Sequence, residues 1–303
     1  MQAEHNPVYK KYISLLGKDP RTISHIRDIP FLPVSFFKDH TVSIFPGSDA
    51  TVFSSSGTTG SRPSQHAVPD LPLYEESFTR SFEHFYGEIT SWCILALLPS
   101  YLERSGSSLV YMLDHMIKKT GCPHSGFYLY DHDRLYRTLL TLAGENRKVL
   151  LFGVSFALLD FAGKYELPPM DLTVMETGGM KGRRKEMVRE ELHTVLSEKF
   201  HVPVIHSEYG MTELLSQAYS RGHGIFHTPP WMRIVVRDSY DPFARSAPGQ
   251  TGGINVIDLA NIHSCAFIET QDLGRLLPKG GFTVEGRYDH SDIRGCNLMV
   301  QEI

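Results

Sequence analysis

Phe53-Ser-Ser-Ser-Gly-Thr-Thr-Gly-Ser-Arg-Pro-Ser64 is the most unusual stretch of the chain. Glycines let the backbone approach a ligand closely, and successive N–H groups between hydroxyl side chains make a concavity rich in donors. That is the donor set a polyphosphate needs. It is not a Walker A loop, because the G-x-x-x-x-G-K-[ST] spacing and its lysine are absent. The same composition also suits a solvated Ser/Gly linker. Position favours the first reading, since the stretch lies within the first fifth of the sequence between two apolar segments.

Working outward, apolar β-branched runs alternate with helical patterns. Trp92 to Leu98, Lys148 to Phe152, Leu172 to Met175 and Val202 to Ile205 read as buried strands. Ser107 to Thr120, Asp131 to Ala143, Phe156 to Ala162 and Lys185 to Phe200 read as helices, the last with Val188, Leu192, Val195, Leu196 and Phe200 at helical spacing. Strand, helix, strand at this spacing means βαβ units: an α/β fold with mainly parallel sheets flanked by helices. Before residue 50, prolines at 7, 20, 30, 33 and 46 suggest a short helix followed by an extended arm. After Gly224, Trp231 to Val236, Gly253 to Ile257 and Cys265 to Glu269 suggest a smaller antiparallel β unit near the C-terminus.

A second segment, Ile205-His-Ser-Glu-Tyr-Gly-Met-Thr-Glu213, follows an expected strand. In open α/β sheets ligands bind beyond the carboxyl ends of strands, which puts Tyr209, Thr212 and Glu213 at a ligand's position. Glu213 is suited to a hard cation and Tyr209 to ring stacking. The bland alternative is a carboxylate at the start of a helix.

Composition narrows the class. The 303 residues carry 30 Lys+Arg against 34 Asp+Glu, a formal charge of −4, with 41% hydrophobic and 21% charged residues. That fits a globular protein and argues against nucleic-acid partners, which favour a basic domain or stripe. Cys93, Cys122, Cys265 and Cys296 form no C-x-x-C pair, as in intracellular proteins, and the 15 histidines form no H-E-x-x-H cluster. The N-terminus lacks a signal-peptide core. The longest apolar run, Cys93 to Pro99, falls far short of the roughly 18 residues that span a bilayer. A cytoplasmic protein with no membrane segment is the expectation.

Taken together, the segments resemble a known family. Ser56-Gly-Thr-Thr-Gly60 looks like the phosphate loop, and Tyr209-Gly-Met-Thr-Glu213 like the Y-G-x-T-E motif, of the adenylate-forming superfamily of acyl-CoA synthetases, peptide-synthetase adenylation domains and luciferases. Gly178-Gly179-Met180 resembles its adenine-side glycine pair, Glu269-Thr-Gln-Asp-Leu-Gly-Arg275 its T-G-D-L-G-R element, and Gly286-Arg-Tyr-Asp289 its G-R-x-D hinge. Within the superfamily, Asn6-Pro-Val-Tyr9, the arm from Ile29 to Lys38 and the ending Asp292-Ile-Arg-Gly-Cys-Asn-Leu-Met-Val300 look most like the LuxE-type acyl-protein synthetases, with phenylacetate-CoA ligases next.

The resemblance implies the large N-terminal domain of these enzymes over residues 1–285, with a hinge and short tail over 286–303. It implies ATP and Mg²⁺. Ser56, Gly57, Thr58, Thr59 and Gly60 would hold the β- and γ-phosphates; Gly178, Gly179, Tyr209 and Gly210 would line the adenine; Asp272 would take the ribose hydroxyls with Arg287 nearby. Glu213 would ligate Mg²⁺ and Thr212 would contact the α-phosphate. A small-molecule carboxylic acid, expected to be fatty, would attack the α-phosphorus to give acyl-AMP and pyrophosphate. A thiol would then displace AMP: Cys296 of this chain, a partner protein such as an acyl-transferase or reductase, or CoA. An acyl- or aryl-CoA ligase and a non-catalytic nucleotide-binding module are the alternatives. Three departures stand out. Gly60-Ser-Arg-Pro-Ser64 replaces the usual G-x-P-K-G, so Arg62 would supply the charge; Gln271 replaces a glycine; and the reading expects no C-terminal cap domain.

Overall fold

The computed structural model describes residues 1–55, 62–99, 106–145, 147–178 and 187–288. The chain opens with helices α1 (Gln2–His5) and α2 (Pro7–Leu15), followed by β1 (Leu32–Pro33) and α3 (Phe36–Asp39). A hairpin of β2 (Thr51–Ser54) and β3 (Gln65–Val68) leads into α4 (Leu71–Tyr86). An α/β succession comes next: β4 (Trp92–Leu97), α5 (Ser108–Thr120), β5 (Gly126–Phe127), α6 (His132–Leu142), β6 (Lys148–Val154), α7 (Ser155–Ala162), β7 (Leu172–Thr177), α8 (Arg189–Phe200) and β8 (His206–Tyr209). The remainder is strand: β9 (Ala218–Ser220), β10 (Phe226–His227), β11 (Met232–Arg237), β12 (Gly252–Asp258), β13 (Phe267–Leu276) and β14 (Phe282–Arg287).

The helix ends obey local chemistry. Ser107 caps α5 through Val110 N at 3.4 Å, and Gly121 closes it in the left-handed conformation. Asp131 caps α6 in the same way through Arg134 N at 3.0 Å. All six residues of β4 are buried, so both faces of the parallel region are covered, which is why its strands read as continuous apolar runs. The main apolar cluster joins β4, β6 and β7 to residues of α4 through α8.

The antiparallel β part expected near the C-terminus is present, joined to the parallel strands in one sheet, while several element boundaries need correction. One twelve-stranded sheet runs β11-β12-β13-β14-β10-β9-β8-β7-β6-β4-β5, with β1 pairing parallel to β13. β8 is where the direction changes, parallel to β7 and antiparallel to β9. The last of the four strands expected from the apolar runs is His206–Tyr209, not Val202–Ile205. His201 ends α8 at φ +52, and Val202 and Ile205 bury their side chains before the chain reaches the sheet. The strand over Cys265 to Glu269 starts later and runs on through the motif, as the ten residues Phe267–Leu276. The amino-terminal helix is two helices broken at Asn6, and Pro7 begins the second at a position that needs no N–H donor. Within the expected helix ending at Phe200, Val188 is an extended N-cap and the helix starts at Arg189.

The sixteen-residue α4 was missed in the sequence. Its signals were present: Asp70 accepts from Leu73 N at 3.0 Å, Pro72 sits in the first turn and Gly87 ends it. They were obscured because its buried face mixes Ser77, Thr79 and Ser81 with Tyr74, Phe78 and Phe82.

Candidate functional site

The segment Tyr209–Glu213 leaves the sheet at the direction change, the switch point where open α/β sheets form crevices. No helix follows. Residues 210–217 instead form an irregular connection to β9. Such backbone needs partners outside a ladder, and the buried Asp258 carboxylate supplies many of them. It accepts from Leu215 N at 2.8 Å, Ser216 N at 3.0 Å, Ser216 Oγ at 2.6 Å and Ala260 N at 3.1 Å. Asn261 Nδ2 donates to the carbonyl of Glu213 at 2.7 Å. Neither residue carried a sequence signal, because each acts on a loop more than 40 positions away.

Glu213 itself is buried, with Ser64 near its carboxyl. Burial raises its pKa, while Ser64 and the Arg287 charge pull the other way. Ser64 closes the hydroxyl- and glycine-rich segment: its carbonyl accepts from Ser55 N at 3.0 Å and its own N–H donates to Ser55 Oγ at 2.9 Å. The two segments singled out in the sequence are therefore neighbours, tied just beyond Ser64 by His66 Nδ1, which lies 2.8 Å from the Thr212 carbonyl oxygen.

Tyr209 does not offer an open ring face. It is buried against Phe226 and Phe282, with ring centroids at 6.1 and 5.7 Å. Its hydroxyl donates to Asp272 Oδ2 at 2.8 Å. Burial, then the Asp272 charge, pushes the phenol well above its ordinary pKa. The other Asp272 oxygen lies 3.4 Å from Arg287 Nε. A bulge between β13 and β14 sets Arg287 opposite Asp272, and Gly286 takes the φ of +156 this needs. Burial raises the Asp272 pKa, while the Tyr209 hydrogen bond, Arg287 and Arg237 oppose it. Arg237 is a further buried cation, 2.7 Å from Asn255 Oδ1 and 2.8 Å from the Thr270 carbonyl.

On the other flank, Thr177 and Glu208 are direct neighbours in the β7–β8 register, and the Thr177 hydroxyl donates to the Glu208 carboxylate. A Cβ at Gly210 would run into that carboxylate, which would have to shift to admit it. Gly178, just past β7, accepts from Ser155 Oγ at 2.8 Å. His206 is hydrogen-bonded to the Tyr86 hydroxyl at 3.0 Å, and burial lowers its pKa to about 4. Arg62 is exposed, 3.6 Å from Asp39. Ser56, Gly57, Thr58, Thr59, Gly60, Gly179 and Cys296 lie outside the described residues.

The oxygens gathered here suit a hard cation. Glu213 is a desolvated carboxylate beside hydroxyl groups, and Mg²⁺ is usually held by one or two carboxylates with phosphates and water completing its shell. No cluster of three or more His, Cys, Asp or Glu suited to a metal occurs among the described residues. Among the same residues no helix is long and apolar enough to cross a membrane.

The fold is that of the large N-terminal domain of adenylate-forming ligases. An open conformation of 2-hydroxyisobutyryl-CoA ligase, in complex with 2-HIB-AMP and CoA, superposes with a TM-score of 0.67 at 12% identity, covering 95% of this chain and 67% of that one. O-succinylbenzoate coenzyme A synthetase from Bacillus subtilis, in complex with ATP and magnesium ion, gives 0.59 at 18% identity over 82% of this chain and 52% of that one. ATP-bound MatB from Rhodopseudomonas palustris gives 0.56 at 15% identity over 78% and 47%. The chain thus spans about half the length of the latter two. No family model matches the sequence, and no curated protein matches it.

Proposed function

We propose that this chain activates a carboxylic acid with ATP, forming acyl-AMP and releasing pyrophosphate, and passes the acyl group to a thiol. The observation that carries the reading is the buried Glu213 carboxylate at the sheet's switch point, beside a loop whose Thr212 carbonyl is reached at 2.8 Å by His66, two residues past the glycine- and hydroxyl-rich segment. In this reading residues 1–285 form the nucleotide-binding domain and 286–303 the hinge and tail. Ser56 to Gly60 take the β- and γ-phosphates, and Gly178, Gly179, Tyr209 and Gly210 border the adenine. Asp272 has a lone pair free on each oxygen after serving Tyr209 and Arg287, enough to accept two ribose hydroxyls. Thr212 meets the α-phosphate. Mg²⁺ held by Glu213 would offset the phosphate charge that otherwise repels the incoming carboxylate.

For the second half-reaction, the acyl-protein synthetase reading rests on the sequence likeness around Cys296, which makes that thiol the acceptor. A CoA ligase reading is favoured by the fold likeness to a ligase solved with CoA. The first test is acid-dependent exchange of labelled pyrophosphate into ATP across fatty and aryl acids. Exchange should appear with at least one acid and fall about 100-fold in Glu213→Gln. ATP binding with no exchange for any acid would leave only a nucleotide-binding module. A thioester mass on Cys296, lost in Cys296→Ser, against acyl-CoA formation separates the two acceptors.

A further inference from the structure

β3 runs from the base of the hydroxyl- and glycine-rich segment past the Tyr209–Glu213 loop. Side chains alternate along a strand, so Ser64, His66 and Val68 share a face, and all three are buried while Gln65 is exposed. On this face Ser64 lies near the Glu213 carboxyl. His66 meets the residue beside it: Nδ1 lies 2.8 Å from the Thr212 carbonyl oxygen and Nε2 lies 2.9 Å from Ser264 Oγ. We propose that His66 is a positioning residue, a bridge that fixes the Thr212–Glu213 backbone against the strand closing the phosphate-loop segment and against the 261–266 turn. The inference rests on the adenylation reading for its effect on rate, though not for its structural part.

Donor and acceptor rules assign the bridge's protons. A carbonyl only accepts, so Nδ1 carries a proton, and a neutral ring then leaves Nε2 to accept from the Ser264 hydroxyl. Burial lowers the ring's pKa to about 4, which makes the neutral form the resident one at pH 7. Ser264 Oγ also stands 3.1 Å from Asn261 Oδ1, a competing acceptor for its single proton. Asn261 keeps its own donor on the Glu213 carbonyl at 2.7 Å. Two consecutive carbonyls of an irregular loop are therefore held by buried side chains from two different parts of the chain. Phe37 packs edge-on against the His66 ring, centroids 5.4 Å apart at 84°, and fixes its orientation. Because the peptide planes at Thr212 and Glu213 set where their side chains emerge, release of the carbonyl moves both reacting-site groups together. A displacement near 1 Å is enough to cost on the order of 100-fold in rate.

The test contrasts His66→Leu, which removes both hydrogen bonds, with His66→Asn, whose amide nitrogen takes the Nδ1 position. Two readouts are used: kcat and acid KM for pyrophosphate exchange, and amide hydrogen exchange of residues 210–215. His66→Leu should lower kcat by roughly 10- to 100-fold with acid KM changed little, and should speed hydrogen exchange in 210–215 but not in β11 and β12. His66→Asn should recover most of both. Equal loss in the two variants, unchanged kcat, or hydrogen exchange rising evenly through the sheet would overturn the proposal. If His66→Leu does not fold, His66→Gln, which reaches Ser264 but not Thr212, supplies the contrast. If the wild type shows no pyrophosphate exchange, the adenylation reading fails separately, and hydrogen exchange alone decides the bridge.

Discussion

Glu208 sits one residue before the tyrosine of the site motif and carries the clearest titration in the molecule. Burial pushes its carboxyl from 4.5 to about 7; the Thr177 hydrogen bond opposes this and the Glu176 charge adds to it. Because the folded value lies above the unfolded one, the native state holds the extra proton between these values. The stabilisation is complete below pH 4.5 and is lost as pH rises through 7. Glu208→Gln removes the effect while keeping an acceptor for Thr177. Relative to wild type, its denaturation free energy should be nearly unchanged at pH 4.5 and higher by about 1–3 kcal/mol at pH 8. A difference flat across that range would refute the assignment. His66 and His206, both lowered to about 4 by burial, make stability rise from there to pH 6.5 in both proteins and cancel in the comparison. At this scale the sequence was informative about residue type and order. Tyr209 closes β8 and Thr212 and Glu213 follow it, although the strand lies at His206–Tyr209 and not at the apolar run Val202 to Ile205. Ser64, His66, Asp258 and Asn261 were not legible, since no local pattern records which carbonyl or carboxylate a side chain meets 40 to 200 positions away.

Elements were legible where both faces are buried. β4, β6 and β7 announce themselves as apolar runs, whereas β8, with the sequence His-Ser-Glu-Tyr, hides its strand character behind polar side chains whose partners are remote in sequence: Tyr86 for His206, Thr177 for Glu208 and Asp272 for Tyr209. The same logic explains the break between α1 and α2. Asn6 Oδ1 accepts from Val8 N and Tyr9 N, both at 3.1 Å, and its Nδ2 donates to the Ser264 carbonyl at 2.9 Å. One side chain thus starts a helix and moors it to the turn that also meets His66. Asn6→Ala should lower stability by about 1–3 kcal/mol in chemical denaturation, and Asn6→Asp, which keeps the cap and loses the mooring donor, should fall between. A loss within about 0.5 kcal/mol for the alanine variant would argue against this double role.

Across the whole molecule, the sheet is one ladder although the apolar core is divided, one large cluster under the parallel strands and another under the antiparallel ones. The continuous backbone pairing through β8 and β9, reinforced by Asp258, predicts that both halves unfold in a single transition. Far-ultraviolet dichroism and the fluorescence of Trp92, in the parallel half, should have coincident midpoints; separated transitions would show that the two cores behave independently. A last consequence concerns synthesis. Gln2 bonds to Asn261 at 2.7 Å and accepts from Ala266 at 3.0 Å, and Leu32 pairs with Ile268. On the ribosome Gln2 is synthesised 259 positions before Asn261 and 264 before Ala266. Tyr9, Ile13 and Leu32, buried in the finished fold, therefore wait in water or on a chaperone until the antiparallel strands emerge, and docking of this segment comes after the parallel strands have been made.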